Sequence, residues 1–83
     1  MHGDVTAQTE RVMMNIAALL AVEGATFMNV TKTTVYLTAL EDFAEVNAAY
    51  TRFVSDPAPA RSTVQVTRLP KDAKVEIDAI AVL

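Results

Sequence analysis

The chain has 83 residues, enough for one domain and no more. Hydrophobic residues make up 52% of it and the mean hydropathy is +0.26, which excludes a polar, intrinsically disordered chain. The net charge is −3, and Arg11, Lys32, Arg52, Arg61, Arg68, Lys71 and Lys74 are scattered, so nucleic-acid binding by phosphate neutralisation is not expected.

There are no cysteines, which excludes disulfides and thiolate metal sites and is compatible with a reducing cytoplasm. No uncharged run approaches the roughly 18 residues that span a bilayer, so no membrane partner is expected. The longest such run, residues 12–22, follows no basic stretch of the kind a signal peptide carries. The single histidine, His2, sits at the terminus and is read as incidental. A domain this small buries only about 60% of its unfolded surface. Oligomerisation is one way to make up the difference.

Residues 6–23 read as a helix. Val12, Ile16, Leu19 and Leu20 recur at helical spacing, Met13 widens the stripe, and Gln8, Arg11 and Asn15 form the polar side. Asp4 or Thr6 suits the start and Gly24 the end. Met13, Met14 and Met28 read as core filler rather than a metal or cofactor box. Residues 28–37, "MNVTKTTVYL", are rich in β-branched side chains and predict a strand, with Lys32 snorkelling from a sheet edge. Thr38 and Glu41 fit a capping box that opens a second helix over about residues 41–54. Its apolar stripe is Phe43, Val46, Tyr50, Phe53 and Val54. Asn47 falls on that stripe, where its amide either satisfies nearby backbone or touches a ligand.

The prolines of "SDPAPA" end the helix, and a strand follows over about residues 62–68. "LPKDA" predicts a turn. The final strand, residues 74–83, ends in "AIAVL", apolar on both faces, which suits a central or covered strand. The order is α-β-α-β-β. It predicts an α+β domain with two helices on one face of a mixed sheet and an antiparallel hairpin at the end. The uncovered face asks for a symmetric partner, with Val64, Val66, Ile77 or Ile80 buried between subunits.

One cation stands out. Arg61 follows two prolines at the mouth of a strand. In the expected hairpin, Asp78 pairs near Val64 and Arg61 lies just beyond, within reach of a shared small ligand. Arginine grips a carboxylate through two parallel hydrogen bonds. A carboxylate among Ile77, Ala79 and Ile80 can orient a water. The alternative is a structural Arg61–Asp78 ion pair or two solvated side chains. No P-loop, nucleophile elbow or zinc motif is present.

The blocks "AQTERVMMNIAALLAVEGA", "VTKTTVYLTALEDFAEVNAAYTRF" and "PARSTVQVTRLPKDAKVEIDAIAVL" resemble the Rid (YjgF-type) family of reactive intermediate deaminases. The resemblance implies a chorismate-mutase-like fold and a cytoplasmic homotrimer with ligand clefts between subunits. It implies hydrolysis of enamines and imines such as 2-aminoacrylate to 2-keto acids and ammonia, with no metal or cofactor. It further implies that Arg61 binds the substrate carboxylate, Asp78 positions the attacking water, and Asn47 and Thr63 line the pocket. The family usually has glutamate at the Asp78 position. The family also begins with N-terminal strands that carry a tyrosine and an S-G-Q segment. The match here starts at about Asp4, so residues 1–83 are expected to form a single, N-terminally short domain. A second reading is a non-catalytic trimer that binds small carboxylates or a protein partner. A nuclease activity, sometimes ascribed to the family, is disfavoured by the acidic charge.

Overall fold

A computed structural model describes residues 4–54 and 58–83. The expectations for His2 and for residues 55–57 of the proline linker fall outside the described residues. Helix α1 spans Val5–Val22. Asp4 caps it by accepting from the Ala7 N–H at 2.7 Å. Gly24, at φ +70°, closes it: its N–H bonds the Ala21 carbonyl and the Ala25 N–H bonds the Leu20 carbonyl, a Schellman ending that needs a left-handed residue. The face that α1 buries is rotated from the expected one. Val5, Thr9 and Met13 form the buried i, i+4, i+8 line, with Gln8 beside them, only 2% exposed. Gln8 is therefore not on the polar side; its Oε1 accepts the Lys74 N–H at 2.8 Å. Val12 and Ile16 flank the core, whereas Leu19 is 71% exposed.

A 3-10 turn at Phe27–Asn29 leads into strand β1, Val30–Leu37. A capping box forms here, between Thr26 and Asn29. The expected one at Thr38 and Glu41 does not form. The 3-10 turn Leu40–Asp42 carries no side-chain cap; the Leu40 N–H is taken instead by Gln65 Oε1 at 3.0 Å. Helix α2 is correspondingly shorter than expected, Phe43–Thr51. Its apolar stripe is as the spacing predicts: Val46 and Tyr50 are buried, and Phe43, Phe53 and Val54 pack against the same core.

Strands β2, Ala60–Gln65, and β3, Val75–Ala81, complete a three-stranded sheet in the order β2-β1-β3. β2 runs parallel to β1 and β3 antiparallel to it. The expected hairpin is thus absent: the last two strands flank β1 rather than pair with each other. The chain between them passes over the end of β1, with the Val66 N–H on the Leu37 carbonyl and the Thr38 N–H on the Lys74 carbonyl. Pairing on both sides satisfies the backbone of the β-branched strand. β1 is therefore central, and Lys32 does not sit on an edge. β3, expected to be central or covered, is an edge.

Alternation along β1 separates two faces. Thr33, Val35 and Leu37 are buried toward the helices, together with Val75 and Ile77 of β3. Both helices therefore cover one face of an α+β sheet, as expected. Ile77 belongs to this core and is not available to a partner. The open face carries Lys32, Thr34 and Tyr36 with their register partners, including Val64 at 41% and Ile80 at 59% exposure.

Candidate functional site

Arg61 lies opposite Thr33 in the parallel register, so its side chain leaves β2 on the helix-covered side. There it meets α2. Its Nη1 donates to Asn47 Oδ1 at 2.5 Å. Its Cζ stands 5.0 Å from the Tyr50 ring centroid and 5.3 Å from that of Phe43, both within cation–π range. Phe43, Asn47 and Tyr50 are spaced i, i+4, i+7, so one stripe of α2 forms the bed. Below it, Tyr50 Oη and Thr33 Oγ1 lie 2.7 Å apart in the core. Thr63 points to the same side as Arg61 two residues on, opposite Val35, and is half-buried. No acidic group pairs with Arg61 among the described residues; the ion pair that forms joins Arg52 to Glu10.

Asp78 is elsewhere. It lies opposite Thr34, on the open face and across β1 from Arg61. Tyr36 Oη donates to Asp78 Oδ2 at 3.1 Å. That hydrogen bond, and then the negative charge of Asp78, hold the Tyr36 phenol above its ordinary pKa of 10.0. Glu76, opposite Tyr36, shares the exposed face. One chain therefore assembles Arg61, Asn47 and Thr63 but not Asp78. The structural Arg61–Asp78 ion pair is not formed, and the shared-ligand geometry expected from a hairpin does not arise within one chain.

Sequence reasoning missed three groups: Phe43 and Tyr50 under Arg61, and Tyr36 on Asp78. The helical stripe assigned the first two to the core. Their faces do pack inward, and only the strand order reveals that Arg61 lies over them. Tyr36 alternates outward from Val35 and Leu37, but its partner depends on the antiparallel register.

A groove of about 410 Å³ runs between the C-terminal half of α1 and β3. Ile16, Leu19, Leu20, Ile77, Ala79, Ala81 and Leu83 give it an apolar lining, with Glu23 also on its wall. Arg61, Asn47 and Thr63 take no part in it.

A mixed three-stranded sheet backed by two helices is the arrangement that solved structures share with this chain. The family model for Endoribonuclease L-PSP matches residues 1–83, and the chain belongs to that family, the group also called YjgF, RutC or Rid. Protein DfrA of Myxococcus xanthus is 56% identical over 81 residues, covering 98% of this chain and 62% of its own length. The 2-iminobutanoate/2-iminopropanoate deaminase of Salmonella typhimurium is 46% identical over 82 residues, covering 95% and 64%. The crystal structure of Escherichia coli TdcF with bound serine superposes with a TM-score of 0.92 at 42% identity, covering 100% of this chain and 68% of that one. The chain thus spans less than two thirds of the length of these two curated relatives. Among the described residues no helix is long and apolar enough to cross a membrane.

Proposed function

We propose that the chain hydrolyses reactive 2-imino acids and their enamine tautomers, such as 2-aminoacrylate, to 2-keto acids and ammonia. The observation that carries this reading is Arg61: a guanidinium seated on two rings and one amide, with no acidic partner among the described residues. A fixed planar cation of this kind suits a carboxylate. The names of the Salmonella typhimurium relative and of Reactive Intermediate Deaminase A of Arabidopsis thaliana support the chemistry. The serine bound to TdcF is itself a small carboxylate.

In this reading Arg61 grips the carboxylate, while Asn47 and Thr63 shape the pocket. An enamine first takes a proton at its terminal carbon and releases one from nitrogen to become the imine. Water adds to the C=N carbon, its proton passing to nitrogen. The resulting carbinolamine expels ammonia and leaves the keto acid, so water is the only co-reactant and no cofactor is assigned. The carboxylate that orients the water comes from an open face, with Asp78 the first choice and Glu76 beside it. Arg61 and Asp78 of one chain lie on opposite faces, so the acid belongs to a neighbouring copy. A homotrimer in the cytoplasm, in which a neighbour's open face, with Val64 and Ile80, meets the β2 edge that carries Arg61, supplies that acid.

A second reading is favoured by the separation of Arg61 from Asp78. In it the assembly binds small carboxylates without turning them over. An assay coupling a dehydratase that releases 2-aminoacrylate to keto-acid formation separates the two. The proposal expects acceleration over the uncatalysed background, reduced by Asp78→Asn more than by Glu76→Gln. A larger loss in Glu76→Gln would move the acid to Glu76. No acceleration by the unmodified chain would leave the binding reading.

A further inference from the structure

The placement of Arg61 depends on a hydroxyl that does not touch it. Tyr50 is buried, and its ring faces the guanidinium. Its Oη is held 2.7 Å from Thr33 Oγ1, a contact sealed in the core. Thr33 is the residue of β1 that pairs with Arg61 itself. A closed path results. The backbone of Thr33 fixes the backbone of Arg61, its hydroxyl fixes the Tyr50 ring, and that ring fixes the end of the Arg61 side chain.

We propose that Tyr50 and Thr33 are positioning residues for Arg61, their buried hydroxyl pair setting the plane in which the guanidinium meets a carboxylate. This rests on the reading of Arg61 as a carboxylate clamp. Two parallel hydrogen bonds need both N–H groups of one edge in the plane of the carboxylate. Rotation about the Nε–Cζ end of the side chain is prevented by the sp² guanidinium, but rotation of the whole group about its aliphatic stem is not. Asn47 restrains one nitrogen, Nη1. The ring faces must restrain the plane. Packing alone leaves the Tyr50 ring free to tilt and slide, whereas a bonded Oη pins its far end at a fixed depth.

The test uses Tyr50→Phe, Thr33→Val, the double variant and Thr33→Ser. Two quantities are read in each: the NMR order parameter of the Arg61 Nε–H in the unliganded protein, and the affinity for pyruvate by calorimetry. Melting temperatures run alongside. Tyr50→Phe and Thr33→Val each strip one partner from a buried hydroxyl and should lower the melting temperature. Each should also lower the Arg61 order parameter and weaken pyruvate binding by about fivefold to tenfold, the scale of one hydrogen bond. The double variant leaves no hydroxyl unsatisfied, so stability should return toward that of the unmodified chain. Binding and Arg61 order should stay low. Thr33→Ser keeps both hydroxyls and should retain both properties.

If affinity and order recover with stability in the double variant, the pair is merely structural and the proposal fails. Unchanged Arg61 order in Tyr50→Phe overturns it as well. If the unmodified chain does not bind pyruvate, the clamp reading falls. The order parameter then still decides whether Tyr50 positions Arg61.

Discussion

Arg61→Ala removes a guanidinium that the structure seats on two rings and an amide, without an acidic partner among the described residues. Of arginine's five N–H donors, one is spent on Asn47. One edge therefore remains for a carboxylate. Charge-assisted hydrogen bonds contribute about 1.5–3 kcal/mol each, and the exposure of Arg61 favours the lower figure. Two such bonds amount to about 3 kcal/mol, or roughly a hundredfold in affinity. Arg61→Lys keeps the charge and loses the fork, so about tenfold of that loss should remain. The fold should survive both changes. Arg61 lies on an edge strand at the surface, and its contact with two rings is worth about 0.5–1 kcal/mol at an exposed site. Calorimetric titration with pyruvate and 2-oxobutanoate, beside thermal melts, measures both quantities. Equal affinity in the unmodified chain and Arg61→Ala would refute the clamp. A collapsed melt in Arg61→Ala would refute the view that its ring contacts serve the site rather than the core.

Other positions give sharper single readings. Met13 is fully buried at the centre of the helix-covered core, so Met13→Ala should cost about 2–5 kcal/mol in a denaturant titration. Lys71 and Asp72 both hold positive φ, 59° and 54°, where a side chain is strained; Lys71→Gly should raise stability by about 0.5–1 kcal/mol. Absorbance of the phenolate should show Tyr36 ionising above its ordinary value, and Asp78→Asn should bring that ionisation back down. The sign follows from the cause: the Tyr36–Asp78 bond helps the folded state below the ordinary phenol pKa and is lost as pH rises through the raised one. Val64→Glu places a charge on the open face while sparing the core, so sedimentation should show a folded monomer in place of the proposed trimer.

Element types were legible because periodicity reports burial directly. Phe43, Val46 and Tyr50 recur three to four residues apart on α2, and the run predicted as a strand over 28–37 forms one over 30–37, its first two residues lying in the 3-10 turn. Pairing was not legible. Residues 62–68 and 74–83 are separated by a turn signal, and nearness in sequence favours a hairpin. The competing solution, both strands on β1, depends on non-local satisfaction of the β1 backbone, which no local pattern encodes. The α1 face was misjudged for a related reason. Gln8 and Thr9 look like surface residues by type, but each has a specific bond in the core: Gln8 to the Lys74 N–H and Thr9 Oγ1 to the Val5 carbonyl. Once those bonds exist, the buried line runs through Val5, Thr9 and Met13, and Leu19 swings outward. Asn47 was singled out because an amide on an apolar stripe needs a partner. That partner is a side chain, Arg61, rather than the backbone.

The strand order also bears on how a site of this kind can be built. With β1 between them, Arg61 and Asp78 project from opposite faces of one sheet, and no rotamer change brings them to one small ligand. A single chain can bind a carboxylate at Arg61 or hold a carboxylate ready at Asp78, but it cannot direct both at the same carbon. Catalysis by this pair requires a neighbour's open face to approach the β2 edge where Arg61 stands. The exposed Val64 and Ile80 give that face an apolar reason to be covered, and the Tyr36–Asp78 bond gives it a fixed acid. Assembly and catalysis then fail together. In the coupled assay, Val64→Glu should lose turnover in step with loss of the proposed trimer, although it changes neither Arg61 nor Asp78. Full turnover by a monomeric Val64→Glu protein would show that the acid comes from the same chain as the arginine, and the two-copy site would be wrong.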